Sequence, residues 1–340
     1  MDQRPCVRVA REEGEATRQA LADANLVDED HDIVVEDGRL YLPVTDAEAV
    51  PADYEVVVHE VPARRRQRTP ADLLGYEPSY ERLGDVVIVD EDDPNRARDI
   101  ADAILESDLP VRVVVDRASK VQGELRVREW DVLAVDETRS AARDSDRPVT
   151  ETVHREYGFE YLLDIARVYF SPRLATERHR VAEQVAAGER AVDMFAGVGP
   201  FVVPFAARGA ETVGVDLNEV AVDYLRENAR RNGVSDRVTA VHGDVREVAP
   251  DYADRADRLV MNLPHSADAF LDAAVVLAGD DCTLHYYDIQ HEDDPFGPGE
   301  EAIRAAAESE GYDVSVLTRH VVRSYAPHEL NVCLDVRLSR

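Results

Sequence analysis

Two glycines and three aspartates, each beside the end of a strand-like run, are the part of this chain best suited to chemistry. Residues 193–201 read DMFAGVGPF, preceded by Ala191 and Val192 and continuing into the apolar segment 201–206. That order predicts a strand, a tight turn and a helix. Gly197 and Gly199 let a ligand approach the backbone closely. The dinucleotide form of such a turn has three glycines and seats a pyrophosphate on a helix N-terminus. Here the third glycine is missing and Asp193 closes the strand, which suits a cationic ligand better. S-adenosylmethionine carries a sulfonium and an ammonium and fits that charge. The run 211–216, ETVGVD, ends in Asp216, where an acid is placed to hydrogen-bond ribose hydroxyls. Val238–His242 leads to Gly243 and Asp244, within reach of an adenine amino group. Arg258–Met261 leads to Asn262, Leu263, Pro264 and His265. One glycine pair fits any α/β domain. Four strand ends in register, each with a usable polar group, select the cofactor reading.

The elements that position these residues belong to a chain of 340 residues, room for two or three domains. It carries 70 acidic against 39 basic residues, a net charge of −31, and Lys120 is its single lysine. Such an excess reads as adaptation to a very salty, halophilic cytoplasm, where dense carboxylates keep a surface hydrated. The 44% hydrophobic content and the αβ alternation exclude an acidic disordered chain. Acidity normally counts against nucleic-acid binding. Strong salt screens long-range charge and leaves the task to local arginine clusters and shape. Cys6, Cys282 and Cys333 show neither metal spacing nor a disulfide framework, and no Cys/His cluster suggests a metal. No run approaches membrane-spanning length and the N-terminus lacks an apolar leader. The expectation is a cytoplasmic protein with no membrane partner.

Residues 1–62 read as a small α/β unit: strand 6–9, helix 13–24, a hairpin around Asp37 and Gly38, and a strand over 54–59. Residues 63–70 form a proline-bounded basic linker with Arg64, Arg65 and Arg66. It is either a solvated charge run or a nucleic-acid contact. Residues 71–150 alternate again, with strands over 85–90, 111–115 and 130–135, a helix over 95–106, and a polar segment from Asp136 to Arg147 expected to be a mobile loop. Residues 151–340 open with a hairpin around Gly158 and close with a helix over 300–310 and strands over 312–322 and 329–338, the last completing a sheet with an antiparallel strand.

These residues resemble a known family. Residues 167–178 (RVYFSPRLATER), 193–201, Asn262–His265 and 152–158 (TVHREYG) together look like the archaeal and eukaryotic tRNA (guanine-37, N1)-methyltransferases (Trm5), and the resemblance spans essentially the whole chain. It implies a class I S-adenosylmethionine-dependent methyltransferase, Rossmann-like with a mixed seven-stranded sheet, preceded by two small α+β domains. It implies that the first domain docks on the outer corner of tRNA, that the other two surround the anticodon loop, and that the chain acts as a monomer. The extreme acidity departs from the family's usual composition and bears on salt conditions, not on the chemistry.

Guanine N1 carries a proton, so its lone pair is not free, and methylation there needs a base. The resemblance points to Glu177, just before the cofactor core; the plainer alternative pairs it with Arg178 or Arg180 on a helix surface. Charge then develops on O6, where a donor stabilises it. Asn262 can donate from its strand end, and the resemblance adds an arginine between the second and third domains. Arg139, Arg147 and Arg155 are all open for that role, with Arg147 assigned to the site. Asn262–His265 resembles the Asn-Pro-Pro-aromatic motif of amine-directed methyltransferases, but Leu263 and His265 depart from it, which weakens an adenine-N6 reading. Tyr169 or Phe170 can stack on the extruded base, with simple packing the plainer role for Phe170. The expected cofactor set is Arg178, Asp193, Phe195, Gly197, Gly199, Asp216, Leu217, Asp244 and Asn262. Tyr169 joins Glu177, Asn262 and Arg147 in the catalytic set, and Arg64, Arg65, Arg66 and Arg173 are the expected tRNA contacts. Two other functions compete: aminocarboxypropyl transfer from S-adenosylmethionine to a wybutosine precursor on tRNA, and a non-catalytic RNA-binding protein that keeps the fold.

Overall fold

Runs of β-branched residues alternate with short helices along the chain, and among the described residues the strands collect into four sheets. The computed structural model describes residues 2–64, 67–119, 123, 125–141 and 147–340. The chain divides into two compact units, Met1–Thr69 and Pro70–Arg340.

The first unit is one antiparallel sheet of β1 (Asp2–Ala10), β2 (Val34–Glu36), β3 (Arg39–Pro43) and β4 (Glu55–Val61), in the order β2-β3-β1-β4. Helix Gly14–Asp23 lies on it over a core of Val7, Val9, Leu21, Leu42 and Val44. The β2–β3 turn takes φ of 50° at Asp37 and 74° at Gly38. A tight hairpin needs two positive φ values, which the Asp-Gly pair tolerates.

In the second unit, β5 (Tyr80–Leu83), β6 (Val86–Val89), β7 (Val113–Arg117) and β8 (Trp130–Val135) form a sheet in chain order. β6 and β7 are parallel, joined through helix Pro94–Glu106, whose start is capped by Asp93 accepting from the Asn95 amide at 2.9 Å. The segment expected to be a loop from Asp136 begins instead as helix Glu137–Ala141. The Asp136 carboxylate accepts from the Thr138 and Arg139 amides, so a capping residue starts a helix where polarity alone suggested a coil.

β9 (Glu151–Glu156) and β10 (Phe159–Asp164) form a hairpin over Tyr157 and Gly158. It is bonded to the preceding sheet by buried and partly buried polar contacts. The Thr152 hydroxyl donates to Asp85 at 2.6 Å, Arg112 donates to the Glu151 carbonyl at 2.8 Å, and Trp130 Nε1 donates to the Ile165 carbonyl at 2.8 Å. On the other flank Asn228, fully buried, accepts from the Leu162 amide and donates to the Leu162 and Val198 carbonyls. The hairpin is thereby tied both to the 80–135 sheet and to the glycine turn.

The seven-stranded sheet comprises β11 (Arg190–Asp193), β12 (Glu211–Asp216), β13 (Val238–His242), β14 (Ala256–Met261), β15 (Ala278–His291), β16 (Asp313–Ala326) and β17 (Glu329–Ser339). The order is β13-β12-β11-β14-β15-β17-β16, parallel from β13 to β15 with β17 antiparallel between β15 and β16. This is the mixed sheet of a class I methyltransferase. The strand order reverses at β11, and such a switch point opens a crevice at the strand C-termini. Asp193, Asp216, the residues after His242 and Asn262 all fall at that edge.

Candidate active site

The glycine turn is held open by backbone geometry. Gly197 has φ 53° and Gly199 φ 91°. A Cβ on Gly199 would lie 2.3 Å from Leu225 Cδ1, whereas one on Gly197 would meet nothing nearer than the Tyr169 carbonyl at 3.9 Å. Gly199 is thus required for packing against helix Glu219–Arg231, while Gly197 leaves space on the crevice side. The Gly197 amide donates to Asp216 Oδ2 at 2.7 Å and the Asn218 amide donates to Asp216 Oδ1 at 2.8 Å. Burial raises the Asp216 carboxyl above its ordinary pKa against those bonds. Next to it Leu217 is 43% exposed, an apolar side chain left open at the crevice.

Asp193 is 3% exposed. Its Oδ1 accepts from the Phe195 amide at 3.1 Å and its Oδ2 is buried with no partner. Burial, helped by the charge of Asp216, pushes this carboxyl up to about 7. An orphaned buried acceptor is costly, and a ligand ammonium would satisfy it. Phe195 packs edge-on against Phe270 with ring centroids 5.0 Å apart. Asp244 caps helix Val245–Val248 through the Arg246 amide and is chelated by the Arg246 guanidinium, which holds its carboxyl below the usual range.

Several expected residues are engaged elsewhere. Arg178, expected beside the cofactor, is 3% exposed, bonded to both oxygens of Glu156 and to the Ser171 carbonyl, and lies over the Phe170 ring at 4.9 Å. It locks the Ser171–Pro172 segment to the β9–β10 hairpin. Arg147 pairs with Glu151 at 3.3 Å, Arg139 donates to the Leu109 and Val111 carbonyls, and Arg155 is exposed and pairs with Glu160. Among the described residues none of the three bonds to the Asn262–His265 loop. Arg126 has one: its Nη2 donates to the Pro264 carbonyl at 2.6 Å. The signal for it was available, since Arg126 and Arg128 are alternating cations just before a strand in an acidic chain.

Arg126 lines a cavity of about 120 Å³ together with Arg117, Arg128, Arg173, Arg323 and Tyr169. Glu81 is the carboxylate in its wall, bonded to Arg117 and Arg173. The Nε atoms of Arg117 and Arg323 are buried without acceptors. Five guanidiniums therefore line this cavity beside one carboxylate, in a chain of net charge −31, although Arg117 also pairs with Asp90. Phe170 is packed between Tyr161, His154 and Arg178, while Tyr169 is 44% exposed, so the open ring of the pair is Tyr169. His265 takes φ 80°, strained for a side-chain-bearing residue, and meets Tyr325 edge-on at 5.2 Å. Arg64 pairs with Asp32 at 3.5 Å in the first unit, and Arg65 and Arg66 lie outside the described residues.

Glu177, 4% exposed on helix Ala175–Ala182, is paired with Arg180, as the plainer reading had it, but in a buried setting. Arg180 donates to both carboxylate oxygens at 2.7 and 2.8 Å, the Tyr287 hydroxyl donates to Oε1 at 2.8 Å, and His320 Nε2 lies 3.2 Å from Oε2. Tyr287 is on β15, whose neighbour Tyr286 pairs with Met261, the residue before Asn262. Arg180 continues to Asp335 on β17, which accepts from His285 Nδ1 at 2.7 Å. His285, Cys333 and Asp335 lie within 4.8 Å of one another. Arg180 donates to both Cys333 and Asp335, and Arg258 donates to His285 Nε2, so these atoms are spent on protons and fit a hydrogen-bond network rather than an ion.

Residues 152–315 match the TRM5/TYW2 methyltransferase domain, 6–52 the tRNA methyltransferase 5 N-terminal domain, and 66–138 the TYW2 N-terminal domain. The chain is 37% identical over 341 residues to the tRNA (guanine(37)-N(1))-methyltransferase Trm5b of Pyrococcus abyssi, covering 98% of each chain. That protein's crystal structure superposes with a TM-score of 0.71 over 99% of this chain and 100% of that one. A complex of aTrm5 with tRNALeu matches with a TM-score of 0.71 at 31% identity, over 98% of this chain and 99% of that one. A tRNA(Phe) (4-demethylwyosine(37)-C(7)) aminocarboxypropyltransferase of Pyrococcus horikoshii is 32% identical over 278 residues, 79% of this chain and 92% of that protein.

Proposed function

The chain belongs to the TRM5/TYW2 methyltransferase family, and we propose that it transfers the methyl group of S-adenosylmethionine to N1 of guanosine 37 in tRNA. The observation that carries this reading is the arginine-lined cavity bonded through Arg126 to the loop that follows Asn262. An RNA segment held there would present a base to the strand ends where the cofactor binds. The cofactor supplies an electrophilic methyl on a sulfonium; the chain binds it, aligns it and manages the proton. In our reading the cofactor lies against the glycine turn, its ammonium on Asp193, its ribose on Asp216 and its base over Leu217, with Asp244 at the adenine edge. Tyr169 stacks on the guanine, Asn262 and Arg126 stabilise charge on O6, and Glu177 takes the N1 proton. Arg126 replaces Arg147 in that role, supported by its bond to the Pro264 carbonyl. Glu177 can act only once the guanine competes with Arg180 for its oxygens.

We further read the first unit, with Arg64–Arg66, as the grip on the outer corner of tRNA, and the arginine cavity, with Arg173, as the anticodon-loop contact. Residues 63–70 are then the linker, with 71–150 and 151–340 as the remaining domains. The reading also holds a monomer in the cytoplasm, and the charge balance and the single lysine support a halophilic one; no described helix is long and apolar enough to cross a membrane. The test is mass mapping of a tRNA transcript after incubation with the protein and S-adenosylmethionine in high salt. One methyl group on guanosine 37 is expected. An aminocarboxypropyl group on a wybutosine-type precursor would transfer the assignment to the sister activity, and binding without any product would leave only an RNA-binding role.

A further inference from the structure

A base that takes a proton must lose it before it can work again, and Glu177 is nearly closed to water. Among the described residues three side chains contact its carboxylate: Arg180, Tyr287 and His320. Arg180 has no acceptor lone pair; burial works against its charge, but hydrogen bonds to Glu177 and Asp335 hold the guanidinium protonated, above its ordinary range. Tyr287 is 1% exposed, and burial raises its hydroxyl well above the ordinary value. It leads no proton outward. His320 differs on both counts. Its Nε2 lies 3.2 Å from Glu177 Oε2, its side chain is 38% exposed, and it stands on β16, the edge strand of the sheet. Imidazole changes charge near neutrality and can carry a proton in at one nitrogen and out at the other.

We propose that His320 is the proton exit of the site, an inference that rests on Glu177 being the base. As the bond between N1 and the methyl carbon forms and the carbon–sulfur bond of the sulfonium breaks, the N1 proton passes to Glu177. Glu177 then gives that proton to His320 Nε2, free to accept when the ring carries its hydrogen on Nδ1. The imidazolium releases its Nδ1 proton to water from its exposed edge, and proton exchange with water then returns the ring to the Nδ1–H tautomer for the next cycle. His320 touches neither guanine nor cofactor; it acts through Glu177. The charged and titratable groups facing it are Glu177 of helix Ala175–Ala182, 3.2 Å from Nε2, and Cys333 of β17, its cross-strand partner; Arg180, Tyr287 and Asp335 belong to the network behind Glu177.

The test compares His320→Gln, His320→Ala and Glu177→Gln in methyl-transfer assays across pH, with S-adenosylmethionine and tRNA affinities measured alongside. Gln keeps an amide N–H toward Glu177 but cannot carry a proton. We expect His320→Gln to bind both ligands as before, to turn over about tenfold or more slowly, a smaller loss than the roughly 10²–10⁴-fold of the acid–base group itself, and to lose the ionisation imidazole contributes to the pH profile. Added imidazole should restore His320→Ala and not Glu177→Gln. A His320→Gln enzyme with the original rate and profile overturns the proposal. So does a slowed His320→Ala enzyme that imidazole does not rescue, because His320 then only props Glu177. If Glu177→Gln keeps full activity, the assignment of the base has failed, a result distinguishable from failure of the relay alone.

Discussion

Asp193 carries the orphaned acceptor of the crevice. Its Oδ2 has no partner and its carboxyl is raised to about 7 by burial. A cationic ligand favours the ionised form, so cofactor affinity should rise with pH through about 7 and fall on the acid side. The free protein should show the opposite trend in stability. Its folded state holds this proton more tightly than the unfolded chain, whose aspartates titrate near about 4, so stability is lost as pH rises between those values. Calorimetric titration and melting curves on the native protein and Asp193→Asn measure both, and a pH-independent affinity in the native protein would remove Asp193 from the ammonium site. Asp216→Ala should weaken S-adenosylmethionine binding by about 1–3 kcal/mol, the cost of unmade charged hydrogen bonds; an unchanged titration would take the ribose away from Asp216. Glu177→Gln should slow methyl transfer about 10²–10⁴-fold with cofactor affinity unchanged, which single-turnover assays read directly. At this scale the sequence supplied residue types and strand ends, enough to put Asp193, Asp216 and the glycines at one edge of the sheet. It could not show that Arg178 is tied to Glu156 or that Arg126 reaches across 138 residues to Pro264, because those pairings are made by tertiary folding.

The elements follow from local chemistry wherever pattern and punctuation agree. The Asp37–Gly38 hairpin, the Asp93-capped helix and the parallel strands β11 to β14 are all visible as alternation bounded by turn residues. β5, four residues with one buried side chain, has too little periodicity to announce itself, and the helix after Asp136 is too short to show a moment. The glycine turn is the element with least tolerance. Gly199→Ala places a methyl 2.3 Å from Leu225 Cδ1 at φ 91°, so the turn or helix Glu219–Arg231 must shift. The variant should lose cofactor affinity and melt several degrees lower, as expected for about 1–3 kcal/mol of overpacking in a chain of this size. Melting and binding equal to the native protein would show that the turn yields freely. Removing the first unit at Thr69 should leave cofactor binding intact and raise the apparent KM for full-length tRNA more than for an isolated anticodon stem-loop. Abolished cofactor binding would make that unit part of the catalytic fold.

For the molecule as a whole, a net charge of −31 surrounds a cavity of five arginines. Repulsion of tRNA by the acidic surface is long-ranged and screened by salt, while the phosphate–arginine contacts weaken as counterions compete. The two trends oppose each other. tRNA affinity should pass through a maximum with rising potassium chloride rather than fall throughout, and Arg128→Ala with Arg323→Ala should flatten the descending side. A monotonic fall from low salt would mean that the acidic surface does not oppose binding. Composition revealed the charge but not this counter-patch, because its arginines come from positions 117 to 323 and converge only in the fold. The place of β17 has a consequence for synthesis. Residues 329–339 leave the ribosome after β16, yet they lie between β15 and β16. Until they arrive, β15 has an open edge, and Arg180 and His285 lack the Asp335 carboxylate. The glycine turn and Asp216 are already made by then. A chain made only as far as β16 thus holds every strand end of the crevice but not the carboxylate that Arg180, the partner of Glu177, leans on.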